Sequence, residues 1–439
     1  MTTFFVFILT ISIVVGVHEF GHFQMARWCN VKVLKFSIGF GNPIFTFRLG
    51  KDQTAFVISA VPLGGYVKLL DENNLDSNEK IKKNDIKRAF NQQPLMKRFL
   101  IVAAGPLINI ILGIIIFCFI YMHGSLQIKP SISDLSVSSE AYQKGLRVGD
   151  DIVLLDGLEI KSIEDLNISL KTHPQVFKDV YLKREGKLIH IKNLFWTNEI
   201  KVFPYGLPIV IQFIEANSIA EKIGLRIHDE IVMVDQIPVK NIPDLIAIIQ
   251  NHWLKSFDLT IKRENIIQYI HIDKELFEGK VDKKRIGVVL GYDENVIKAY
   301  LVEVKRTFGD SIKKSFAQTF TFFNLTLTTL KNLFIQKADL KDLGGPLAIA
   351  HMASSSFLEG IFPFIQFIGL ISLNIGVSNL LPIPLLDGGY LAFYLLEFIK
   401  GKPLSNEKMM ISQRVGMLIL GLLTVIALYN DACRYLLGS

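Results

Sequence analysis

The stretch VVGVHEFGHFQMARW, residues 14–28, decides how this chain is read. It closes an apolar run that opens MTTFFVFILTISIVVGV, and it sets His18, Glu19 and His22 in the spacing H-E-x-x-H. Residues four apart share one face of a helix, so the two imidazoles can approach a single ion. Ionisable groups inside a hydrophobic segment are costly and mark a functional site by default. Zinc (Zn2+) suits two such nitrogens at about 2.0–2.1 Å each, and Glu19 then stands free to take a proton from an activated water. The competing account packs both histidines between membrane helices as hydrogen-bonding groups.

The rest of the composition agrees with a membrane setting. Half of the 439 residues are hydrophobic and only 20% are charged, too few for a soluble chain of this length. Four spans are expected, at about 3–27, 98–124, 361–389 and 411–429; the third is interrupted by Asn374, Asn379, Pro382 and Pro384. The first run lacks a basic leader and a small-x-small cleavage site, so it is read as a retained span rather than a cleaved signal. Much of the +7 net charge lies beside the spans, which points to topology signals and to contact with membrane lipid, with no nucleic acid as partner. Cys29, Cys118 and Cys433 lie far apart and suggest neither a disulfide framework nor a metal knuckle.

Orientation follows from the basic residues. Arg27, Lys32, Lys35, Lys82, Lys83, Lys87, Arg88, Lys97 and Arg98 flank the loop at 28–97, and Lys400, Lys402 and Lys408 lie between the last two spans. Both segments are expected on the cytoplasmic side, with the termini and the long 125–297 segment outside.

That outer segment repeats itself. AYQKGLRVGDDIVLLDG (141–157) recurs as AEKIGLRIHDEIVMVDQ (220–236), displaced by 79 residues. Each copy resembles the part of a PDZ domain where the chain turns into a strand over its peptide groove. Two PDZ-like domains are expected, at 125–203 and 204–292; two unrelated small β-rich domains are the alternative. His228 replaces Gly149, so a corner that needs positive φ would sit less comfortably in the second copy. Neither copy shows a convincing carboxylate-binding loop, which leaves peptide-end binding and steric filtering both open. Beyond them, 293–345 carries Phe308, Ile312, Phe316, Phe320, Phe323, Leu327, Leu330 and Phe334 at helical spacing. It is read as an amphipathic helix on the membrane or against the modules; a fifth span is the alternative, at odds with the topology read from charge.

A catalytic zinc needs a third protein ligand and an open position. Asp387, in SNLLPIPLLDGGYL (378–391), is the acidic residue of the third hydrophobic segment. An unpaired aspartate at mid-membrane costs about 2.5–3.5 kcal/mol on insertion scales, which a bound cation would offset. The other reading of Asp-Gly-Gly is a turn that ends a span.

HEFGH together with N-x-x-P-x-P-x-x-D-G resembles the site-2 protease family of intramembrane zinc metalloproteases. The tandem PDZ-like insertion narrows the likeness to its Gram-negative, sigma-E-regulating branch. FSIGFG (36–41), VPLGGYVKLLDE (61–72), AAGPLIN (103–109), GGPLAIA (344–350) and ALYND (427–431) extend it along the chain. The resemblance implies His18, His22 and Asp387 as zinc ligands and Glu19 as general base. It implies Asn379 as a catalytic group that holds substrate backbone or supports the oxyanion. Pro382 and Pro384 would break the helix and bring Asp387 toward the metal.

A helical substrate has its peptide bonds tied up internally, so cleavage requires local unwinding. Strand-like stretches within 31–70 offer a partner edge, with Gly64 and Gly65 permitting close backbone approach; an ordinary cytoplasmic hairpin is the alternative.

The expected fold is thus a multi-pass α-helical membrane protein of four spans, with a membrane-associated β element and two extracytoplasmic PDZ-like domains. In order these are the first span with HExxH (1–30), the β-element loop (31–97), the second span (98–124), the two modules and the amphipathic segment. The third span with its Asn/Pro/Asp motif (346–399) and the fourth span with the tail (400–439) follow. The resemblance implies single-span membrane substrates, of the anti-sigma factor type or signal-peptide remnants. It also implies a bacterial inner membrane, with the modules in the periplasm. A catalytically inactive PDZ scaffold and a metal transporter are the rival classes; the first would be expected to lose Glu19 or Asp387, the second to show several ligand pairs.

Overall fold

The computed structural model describes residues 2–72, 83–172, 176–215, 218–252, 255–277, 286–334, 344–402 and 405–435. Two compact units divide the chain, one of residues 1–123 with 306–438, the other essentially 124–305.

The first unit is mostly helical. The apolar N-terminal run forms α1 (Thr2–Trp28), and α2 (Leu95–His123) contains Pro106. Between them β1 (Val33–Leu49) and β2 (Thr54–Leu69) pair through an irregular register. Ser37 faces both Val57 and Tyr66, and Ile38 faces both Ile58 and Gly65, so the start of β1 is flanked on two sides. The last stretch of β2 pairs with β1 on one side, and among the described residues no other strand joins this sheet. Residues 40–49 are exposed throughout and include Phe40, Ile44, Phe45, Phe47 and Leu49, an apolar surface suited to lipid.

The hairpin turn is pinned from outside. Arg88 donates to both carboxylate oxygens of Asp52, at 2.7 and 2.6 Å, the two-pronged geometry a guanidinium favours. That pairing holds the Asp52 carboxyl below the usual carboxylate range.

The second unit contains the repeat. Its first copy comprises β3 (Ser125–Ile128), β4 (Ile132–Leu135), α3 (Glu140–Gln143), β5 (Asp151–Leu155), β6 (Leu158–Glu159), α4 (Ile163–Thr172), β7 (Val176–Arg184), β8 (Lys187–Phe195) and β9 (Ile200–Val202). Its second comprises β10 (Ile209–Ile214), α5 (Ile219–Lys222), β11 (Glu230–Val234), β12 (Ile237–Pro238), α6 (Ile242–Asn251), β13 (Phe257–Arg263), β14 (Ile266–Ile272) and β15 (Val288–Tyr292). The sheets run β6-β5-β7-β8 and β14-β13-β11-β10-β15, each over its own apolar core. Then α7 (Glu294–Tyr300) leads into β16 (Leu301–Val304), which returns to pair with β3.

The offset seen in the sequence persists in three dimensions. From Glu140–Gln143 to Ile219–Lys222, and from Ile163–Thr172 to Ile242–Asn251, matching helices keep the same displacement. Ser139 and Ser218 cap corresponding helices by accepting from Tyr142 N and Glu221 N. Asp150 and Asp229, both essentially buried, accept from Arg184 Nε at 2.6 Å and Arg263 Nε at 2.7 Å. The same guanidinium groups donate to the carbonyls of Gly145 and Gly224. The corner before each aspartate has positive φ in both copies, +89° at Gly149 and +72° at His228, so the second copy does carry the less suitable residue.

The first unit resumes with α8 (Phe308–Phe334), a single long helix packed against α2 and α10. Its orientation is the reverse of what a water-exposed helix would adopt. Ser311 and Ser315 are fully buried, while Phe308, Phe316 and Phe320 are 57–66% exposed. Small polar residues inward and phenylalanines outward is the arrangement of a helix against lipid.

The segment read from sequence as an interrupted third span forms three helices. These are α9 (Pro346–Glu359), α10 (Ile361–Leu380) and α11 (Asp387–Lys400), with the break at Leu381–Leu386. Finally, α12 (Asn406–Tyr435) returns to α9, where buried Asp431 accepts from the amides of Gly345, Leu347 and Ala348. Among the described residues, four helices are long and apolar enough to cross a membrane: α1, α2, α10 and, over Glu407–Cys433, α12.

Candidate metal centre

One turn near the end of α1 carries His18, Glu19 and His22; the first residue of α11 is Asp387. The break before α11 is built by its prolines. With no N–H and a fixed φ, Pro384 starts a turn in which Leu386 N donates to Ile383 O at 3.1 Å. The next residue, Leu385, has φ +83°, where glycine would normally stand. Asn379 lies half-buried in the last turn of α10, with Pro382 exposed and Pro384 half-buried in the break. At the other end of α11, Arg98 at the start of α2 donates to Glu397 at 2.7 Å. From α12, Gln413 donates to the Tyr390 hydroxyl.

These constraints bring three ligand atoms together across 365 residues of chain (22 to 387). Nε2 of His18 and Oδ2 of Asp387 are 3.0 Å apart, Nε2 of His22 and the same oxygen 3.4 Å, and the two nitrogens 3.2 Å. His22 Nδ1 lies 2.8 Å from the carbonyl of Ile101, which can only accept, so the proton sits on Nδ1 and the lone pair on Nε2. Electron-rich atoms therefore converge on one point. Tetrahedral zinc with bonds of about 2.0–2.1 Å requires ligand atoms about 3.3 Å apart, and the three separations match that edge length. Among the described residues this is the one group of three or more such side chains close enough to share an ion. The donor set fits zinc.

Two glycines shape the surroundings. A Cβ at Gly65 would meet Ser37 O at 2.8 Å and Glu19 Cγ at 3.0 Å, so the face of β2 at Gly65 lies against the Glu19 side chain. At Gly64 the space is taken by the Phe40 ring, which a Cβ would reach at 2.2 Å. The trio, Glu19 and Gly65 are thus contiguous, while Asn379, Pro382 and Pro384 belong to the break that delivers Asp387.

The α2 stretch AAGPLIN (103–109) places two residues beside the histidines. Gly105 faces the His22 ring and Asn109 faces His18. An asparagine in the middle of an apolar span is the signal that could have singled it out.

A zinc metalloprotease built into a membrane is the class that this donor set and these helices define. The chain belongs to peptidase family M50, the site-2 protease family, whose model matches residues 6–423. It is similar to a Pasteurella multocida chain that carries a zinc metalloprotease name, at 33% identity over 98% of each chain. It is likewise 33% identical to the regulator of sigma E protease of Haemophilus influenzae and 31% identical to that of Salmonella typhimurium LT2, again over 98% of each.

Proposed function

We propose that this zinc metalloprotease cleaves single-span membrane proteins within or beside the bilayer, with an anti-sigma factor as the substrate type and signal-peptide remnants as a second class. The observation that carries this reading is the convergence of His18, His22 and Asp387, next to Glu19, where α1, a helix long and apolar enough to span a membrane, meets the first residue of α11. The names of the relatives support the sigma-E assignment. The basic residues flanking 28–97 support an active site toward the cytoplasm of a bacterial inner membrane, with the modules in the periplasm.

In this mechanism His18, His22 and Asp387 hold the metal. Bound there, zinc supplies Lewis-acid polarisation and lowers the pKa of water toward about 7. Glu19 accepts the proton from the attacking water and returns it to the leaving amide nitrogen. The free side of β2 at Gly64–Leu69 hydrogen-bonds the unwound substrate, replacing partners that hydrocarbon cannot provide. Asn379 donates its amide to the substrate backbone or the developing oxyanion, and Pro382 and Pro384 hold the break that delivers Asp387. Residues 125–203 and 204–292 act as PDZ-like modules that exclude substrates whose outer domain is still intact.

A single-span reporter, assayed with the parent and Glu19→Gln while bound zinc is measured, tests this. Cleavage should fall about 10²–10⁴-fold with zinc retained. Parent-like cleavage by the variant would remove Glu19 from its role.

A further inference from the structure

We infer that Asn109 is a positioning residue for the metal centre: its side-chain oxygen accepts from Nδ1–H of His18 and fixes the tautomer that leaves Nε2 free to ligate. The inference rests on the zinc reading of His18, His22 and Asp387.

A neutral imidazole that ligates through Nε2 carries its proton on Nδ1, and that buried donor requires an acceptor. His22 has one in the Ile101 carbonyl at 2.8 Å. His18, also buried, faces the Asn109 amide, with 3.5 Å between Nδ1 and Nδ2. In that orientation two donors confront each other, and the distance is long for a hydrogen bond. Meanwhile Asn109 Oδ1 is buried with no hydrogen-bond partner among the described residues.

The two ends of an amide have the same shape, so polarity decides between its orientations. A half-turn places Oδ1 opposite the His18 donor. One end of the amide is left over either way, so counting partners does not choose; matching donor to acceptor does. The rest of the residue is fixed. Asn109 is 0% exposed, and its backbone carbonyl accepts from Ser372 Oγ of α10 at 2.8 Å. An acceptor held this firmly orients the ring at little further entropic cost.

A packing role alone makes a different prediction: removing the amide would weaken the metal-free fold and leave zinc affinity untouched. The test uses the purified full-length protein in detergent, with zinc affinity read by chelator competition and metal-free stability by thermal unfolding. Asn109→Ala should bind zinc about 10–100-fold more weakly with its metal-free midpoint unchanged. Asn109→Leu, which fills the space without an acceptor, should behave like it. Asn109→Asp, which can only accept, should return affinity to near the parent value.

Parent-like affinity in Asn109→Ala, or an Asp variant as weak as Ala, overturns the inference. So does a loss of metal-free stability with no change in affinity. His18→Ala separates the levels. If it leaves zinc binding intact, the metal reading itself is wrong. If it abolishes binding while Asn109→Ala does nothing, only the role of Asn109 falls.

Discussion

Gly105 of α2 lies so close to His22 of α1 that a Cβ on it would fall 2.2 Å from the imidazole Nε2. Pro106 follows immediately and limits how far the backbone can shift to make room. Gly105→Ala should therefore turn the imidazole away and weaken zinc binding about 10–100-fold, while far-ultraviolet circular dichroism shows the helices retained. A variant that titrates with zinc like the parent would mean that the ring has another place to go.

Gly65 touches the chemistry at a different point. A valine there would press on Ser37 O and on Glu19. Because no metal ligand is disturbed, zinc content should stay at the parent level while cleavage falls by about 10²-fold, the effect expected of a misplaced catalytic group. Loss of zinc in Gly65→Val would show that the hairpin supports the ligands rather than the base.

The paired corners at 149 and 228 provide an internal control. A non-glycine residue in the left-handed region costs about 1–2 kcal/mol, and glycine gives back about 0.5–1 kcal/mol of that through the unfolded chain. His228→Gly should therefore stabilise its copy by about 0.5–1 kcal/mol, and Gly149→Ala should weaken the other by a similar amount. Hydrogen-exchange protection in β11 and β5 reads each change separately. Equal protection before and after either substitution would contradict the strain.

Acid should loosen the hairpin turn. The hydrogen bonds from Arg88 place the folded value of Asp52 below its unfolded one. The contribution is therefore fully present above the unfolded value of about 3.9 and is lost as pH falls through the lower folded value. Hydrogen-exchange protection factors at Gly50–Gln53, corrected for the intrinsic pH dependence of amide exchange, should stay level from about pH 8 to about pH 5 and then fall at a pH below about 4. Asp52→Asn should remove that acid-dependent fall; an unchanged fall would assign it to another group.

Much of this was legible in the sequence, for reasons that differ by element. His18, Glu19 and His22 could be read together because helical spacing fixes their geometry locally. Asp387 stood out because a lone carboxylate in an apolar segment needs a partner. The repeat showed itself through its constant offset. What escaped was whatever depends on a partner far away in the chain: Arg184 on Asp150, Arg263 on Asp229, and the Ile101 carbonyl on His22. The inward face of α8 also escaped, because the buried Ser311 and Ser315 carry no apolar signal. Nor does composition reveal that Leu385 would occupy a glycine conformation.

The two aspartate–arginine pairs carry a historical implication. Each guanidinium makes the same three bonds, to the two oxygens of its aspartate and to one glycine carbonyl, in both halves of the second unit. Agreement at that level is the pattern that internal duplication of one module already possessing the pair would leave. Side chains between the paired positions differ freely, yet the number of residues there is the same in both halves. Spacing, rather than side-chain identity, is what the two halves have in common in this part of the molecule.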